Sequence, residues 1–166
     1  MTRGLHTVAR SRRMSTRRLP WLVVLGAVAA SIAVARAPLP KRLDGMTMCV
    51  PIIGPITRLD STLNGRARDL AVVHERAHAA QCREIGAVRT YLSGLTIKGQ
   101  LRSEIDAFCA EAYWDLAIGY RREHVLARIA DELETAYSWT AGLSRGEIVA
   151  AIGAACPPLS ARARAG

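Results

Sequence analysis

Residues 66–84, RARDLAVVHERAHAAQCRE, decide how this chain is read. No Gly or Pro interrupts them, and Asn64-Gly65 and Gly86 bracket them, so the pattern predicts one helix. Leu70, Val73, Ala77 and Ala80 recur three and four residues apart as an apolar stripe, while Asp69, Arg76 and Arg83 share an outer face. Inside this helix lies His74-Glu75-Arg76-Ala77-His78. Histidines at i and i+4 stand one turn apart on one face, so their imidazoles can hold a single metal ion. Glu75 projects about 100° round the helix, where it can reach a water on the metal without being a ligand.

Working outward, Tyr91–Gln100 contains Gly94 and Gly99 and reads as a loop or short hairpin. A second helix is predicted from Ser103 to about Gly119, because Ser103-Glu104-Ile105-Asp106 has capping-box spacing, with Asp106 as the cap partner. A third covers Arg121–Trp139. The last starts at Ser144, boxed by Glu147, and stops at Pro157-Pro158. Upstream, Met46–Thr57 is apolar but broken by Pro51, Gly54 and Pro55, which suits one short strand or an irregular edge segment. The class is mainly α.

The charge sorts by position. Lys and Arg total 23 against 14 Asp and Glu, a net of +9, which at face value invites a nucleic-acid partner. Nine of the basic residues, however, lie in residues 1–42, which hold no acid, and Arg162 and Arg164 lie in the tail. That leaves 12 basic residues against all 14 acids in Leu43–Cys156, so no nucleic-acid binding is expected. With half the residues hydrophobic and Gly plus Pro at 20 of 166 without a period, collagenous and disordered chains are excluded too.

Leu19–Ala35, LPWLVVLGAVAASIAVA, is an uncharged run of 17 residues behind an Arg-rich stretch. As a helix it would span about 26 Å, near the minimum for a bilayer core of roughly 30 Å. The expected organisation is a basic cytoplasmic segment over 1–18, a signal peptide or transmembrane anchor over 19–35, and a linker over 36–45. A helical domain over 46–156 and a flexible tail over 157–166 complete it. Arginines ahead of the apolar run keep the N-terminus cytoplasmic. The domain would then lie outside the cytoplasm, on a single-pass inner-membrane protein or, after cleavage at Ala33-Val34-Ala35, in a secreted or periplasmic one.

The HERAH motif, the Gln81 that follows it and the later SEIDA run at 103–107 resemble the HExxH zinc metallopeptidases, and among them small bacterial domains of gluzincin type. Metzincins would carry Gly and His where this chain has Gln81 and Glu84. The resemblance implies a zincin-like helical domain in which His74 and His78 bind Zn2+ and a Glu from a later helix is the third ligand. Glu104, in the E-x-[ED]-A run, is the preferred candidate. Glu111, with Asp115 at +4, is the alternative. Phe108 stands where some gluzincins have Asp, so a carboxylate supporting one histidine must come from elsewhere or be absent. The implied activity is peptide hydrolysis, with zinc lowering the pKa of its water toward about 7 and Glu75 acting as general base. Tyr91, Tyr113, Tyr120 and His124 are candidate oxyanion donors. Peptides or proteins would be substrates, and the membrane a partner through the N-terminal segment. The competing reading is a catalytically inactive, zinc-stabilised binding or scaffold domain.

Cys49, Cys82, Cys109 and Cys156 all follow the leader, and in an exported chain they suggest two disulfides. If the two site helices run antiparallel, Cys82 and Cys109 diverge, so links from each to Cys49 and Cys156 are easier than a link between them.

Overall fold

The computed structural model describes residues 43–136 and 142–159, with isolated positions between 21 and 39. The export or anchor run over 19–35 therefore lies largely outside the described residues, as do 1–18 and the tail after 159. Among the described residues no helix is long and apolar enough to cross a membrane.

Pro51 and Gly54 break the first apolar segment into two strands, β1 (Gly45–Val50) and β2 (Gly54–Leu59). They pair antiparallel from Gly45 opposite Leu59 to Val50 opposite Gly54, so the segment is a hairpin. The Thr47 and Thr57 hydroxyls meet across it at 2.8 Å. At its tip Gly54 has φ +93°, and Ile52, exposed, also takes a positive φ of 72°, a conformation that strains a β-branched residue.

Helix α1 (Gly65–Gly94) carries the HERAH motif. It bends at Gly86, whose φ of 76° and ψ of 161° are not helical, a geometry open to a residue without Cβ. The chain then resumes its helix to Gly94, and α2 (Ile97–Ala117) starts after Leu95 and Thr96. The loop expected over Tyr91–Gln100 is thus mostly helical. Thr96 caps α2, accepting from Gly99 N at 3.0 Å, and a Cβ at Gly99 would run into the Ser93 carbonyl. Glycine here marks close packing between helices. The same start overturns Ser103 as a cap: it lies inside α2.

Helix α3 spans Arg122–Ala136. Helix α4 (Arg145–Ala155) begins as its sequence predicts, with Ser144 Oγ accepting from Glu147 N and the Glu147 carboxylate accepting from Ser144 N at 2.8 Å. A 3-10 turn, Pro157–Leu159, follows. Leu159 is buried and its carbonyl accepts from Arg122, so residues 157–159 belong to the folded unit and not to a tail.

The core lies between α2, α3 and α4: Phe108, Val125, Ile129, Leu133, Ile148 and Ile152 are among its buried members. Helix α1 is packed differently, by α2 on one side and the hairpin on the other. Its buried line is accordingly Ala71, Glu75, Ala79 and Cys82, and Ala80 of the expected stripe is exposed. Two disulfides join the layers, Cys49–Cys82 between β1 and α1 and Cys109–Cys156 between α2 and the end of α4. Cys82 and Cys109 are not joined, as the diverging helices require.

Candidate metal centre

Helices α1 and α2 run antiparallel: Gln81 Nε2 donates to the Ser103 carbonyl, His74 contacts Phe108 and Glu111, and Arg66 reaches Asp115. This register sets His74 and His78, one turn apart, against the middle of α2. Their Nε2 atoms are 3.1 Å apart. Glu104 Oε2 lies 3.3 Å from His74 Nε2 and 3.6 Å from His78 Nε2. Ligands about 2.0–2.1 Å from a tetrahedral zinc stand about 3.3 Å from one another. The three atoms therefore have the spacing of three corners of such a tetrahedron, and no other group of three or more His, Cys, Asp or Glu among the described residues could hold a metal ion. The donor set, two imidazoles and one carboxylate, suits zinc.

Each ring is held through its other nitrogen. His74 Nδ1–H donates to Glu111 Oε1 at 2.6 Å, and His78 Nδ1–H to Gln81 Oε1 at 3.0 Å. Ser103 Oγ donates to the same Gln81 oxygen at 2.8 Å. With Nδ1 committed to these partners, Nε2 of each ring faces Glu104 and is the nitrogen left for a metal once its proton is lost. Glu111, the alternative ligand, thus stands behind His74 and supplies the carboxylate that Phe108 cannot. Asp115 supports no histidine: it is fully buried and bound by Arg66 and Arg128. Asp106, expected to cap, lies on the exposed rim.

Burial and charge act in opposite directions on these groups. Burial pulls the His74 imidazole down, but Glu104 and Glu111 outweigh it and raise it from 6.5 to about 10. Burial pushes the Glu104 carboxyl up, and His74 and His78 more than reverse this, taking it to about 2.

Glu75, on the adjoining face, is buried against β1, where a Cβ on Gly45 would meet its Cγ at 2.7 Å. Its Oε2 is buried without a hydrogen-bond partner. Burial raises its carboxyl above the ordinary 4.5, opposed by Thr47 and the two histidines. Two cavities, of about 660 and 420 Å³, meet at Leu43, Gly45, His74 and Glu75, so a cleft runs past the site along β1. Leu43 and Gly45, expected in the linker, are part of its wall. Tyr91, Tyr113, Tyr120 and His124 line neither cavity. Tyr120 instead stacks under Arg66 at 4.0 Å. No local pattern points to Arg66 or Arg128, which reach the site through tertiary contacts. The role of Ser103 was hidden behind its cap-like spacing.

No protein-family model, curated protein or solved structure matches this chain.

Proposed function

We propose that the domain is a gluzincin-like zinc hydrolase acting on peptide bonds, with His74, His78 and Glu104 holding the metal. The observation that carries this reading is the convergence of the two Nε2 atoms and Glu104 Oε2 at zinc-ligand spacing, beside a buried carboxylate oxygen with no partner. Zinc bound by these three groups would supply Lewis-acid polarisation of a carbonyl and acidify water. The rest falls to the chain. Glu75 is the general base: its unpartnered oxygen accepts a proton from the attacking water and returns it to the departing amine. Gly45 leaves the room that this carboxylate occupies. Glu111, Gln81 and Ser103 keep the imidazoles in one orientation and one tautomer. The cleft on both sides of His74 and Glu75 gives an extended peptide room to lie across the site.

The two disulfides support an oxidising compartment, in keeping with an inner-membrane anchor or secretion through residues 19–35. One observation favours the scaffold reading as an alternative: Tyr91, Tyr113, Tyr120 and His124, the candidate oxyanion donors, do not line the cleft. Hydrolysis of a peptide library separates the two. The enzyme reading predicts cleavage that is abolished in Glu75→Gln while zinc is retained. A zinc-loaded chain that cleaves nothing, or a Glu75→Gln variant as active as the parent, contradicts it.

A further inference from the structure

Behind the site, on the side away from the cluster, three helices meet in one chain of charges. Glu111 Oε1 accepts from His74 Nδ1 at 2.6 Å, and its Oε2 lies 2.7 Å from Arg128 Nη1. Arg128, on α3, also bonds Asp115 Oδ2 at 3.1 Å and Glu132 Oε1 at 2.9 Å. Arg66, at the start of α1, holds the opposite edge of Asp115 through Nε and Nη2 at 2.7 to 3.0 Å. Glu111 and Asp115 are both buried, where a carboxylate needs a compensating cation and fixed donors. An arginine fork bridges several carboxylates at set angles, which a point charge on a flexible stem does not do. The network is large for a purely packing role, and its end lies on a ring nitrogen of a proposed ligand.

We infer that Arg128 is a positioning residue for the metal site, acting through Glu111 on the orientation of the His74 ring. This rests on the proposed zinc site. Arg128 fixes where the Glu111 carboxylate stands, and Glu111 fixes the plane and tautomer of His74. The α3 helix, which carries no ligand, thereby helps to set how tightly α1 and α2 hold a metal. Supporting groups of this kind change metal affinity by about 10- to 100-fold in other sites.

The test is a double-mutant cycle on the full-length chain, purified in detergent, with Zn2+ affinity read by competition against a chromogenic chelator. Arg128→Gln is expected to weaken zinc binding about tenfold or more, and Arg128→Lys by less. Glu111→Gln combined with Arg128→Gln should bind no more weakly than Glu111→Gln alone, because both changes act on one element. The Co2+-loaded Arg128→Gln chain should show a shifted d–d band, which a change confined to packing would leave in place. Arg145→Gln, which breaks the α3–α4 ion pairs with Asp131 and Glu134, should leave zinc affinity unchanged. The inference is overturned by an Arg128→Gln chain that binds zinc as the parent does, or by losses that add in full. Should Arg128→Gln not fold, the same cycle with Arg128→Lys decides by the same criterion. A parent chain that binds no zinc overturns the proposed function instead.

Discussion

Gly45 and Ser103 show how much of the site depends on residues that carry no metal chemistry. A Cβ at Gly45 would fall 2.7 Å from Glu75 Cγ and 2.8 Å from Oε1, so Gly45→Ala must displace the proposed base. Displacements of about 1 Å can cost on the order of 100-fold in rate. Gly45→Ala should therefore lower peptide hydrolysis to about that extent while zinc content stays at the parent level. Gly146→Ala is the control, since nothing crowds a Cβ there beyond Ser144 Oγ at 4.0 Å. Parent-level turnover in Gly45→Ala would show that the carboxylate is not held where the reaction needs it. Ser103 donates to Gln81 Oε1, which in turn takes the His78 Nδ1 proton. Ser103→Ala should weaken zinc binding by less than Glu111→Gln does, because Gln81 keeps its own bond to the Ser103 carbonyl. Chelator competition on the two variants checks the order.

Among the elements, α1 shows both the reach and the limit of local pattern. Its i, i+4 histidines are fixed by helix geometry, so spacing alone sets them side by side. The apolar stripe was misphased because the helix has two partners, and the hairpin's share of the burial leaves no periodic mark on α1 itself. The bend at Gly86 was legible as a break, but not the helical resumption to Gly94, since one glycine costs about 1 kcal/mol that packing can offset. Glu104 was legible through resemblance and not through spacing: its place opposite His78 depends on the register of α1 against α2. Arg128 and Arg66 were not legible at all, being brought to the site by tertiary contacts many residues apart.

The α1–α2 pair also gives the site a pH dependence. The His74 imidazole rises from 6.5 to about 10 on folding without metal, so its stabilising contribution is full below pH 6.5 and is lost as pH rises through about 10. Glu104 falls from 4.5 to about 2, so its contribution is full above pH 4.5 and is lost as pH falls through about 2. For the metal-free chain this pair stabilises most between pH 4.5 and 6.5. Urea unfolding should show the advantage of the parent over His74→Gln shrinking between pH 7 and 10. Zinc binding at pH 7 should displace the His74 proton, and titration calorimetry in two buffers of different ionisation enthalpy would detect the release. No proton released would count against the charge arrangement described above.

At the scale of the whole molecule, each half of the fold is tied by a disulfide. Cys49–Cys82 closes a loop of 33 residues in sequence separation, and Cys109–Cys156 one of 47. In the loop-closure limit each contributes about 4 kcal/mol, a large share of the stability of a domain this size. Only Cys49–Cys82 lies on the cleft wall, clamping β1 to the ligand helix. Cys49→Ser with Cys82→Ser should therefore cost stability and activity together. Cys109→Ser with Cys156→Ser should cost stability by a similar amount, with the kcat of the folded fraction kept. Thermal melts paired with turnover numbers test the contrast. Equal loss of turnover in both pairs would mean that the hairpin clamp has no special bearing on the site.

In the proposed metal centre His74, His78 and Glu104 are the ligands and Glu111 stands behind them. Zinc analysis of the full-length chain and of two variants tests it most directly. One zinc per chain is expected, lost in Glu104→Ala and kept with lower affinity in Glu111→Gln. A chain that takes up no zinc, or one that loses it with Glu111 and keeps it without Glu104, would rule out this metal centre.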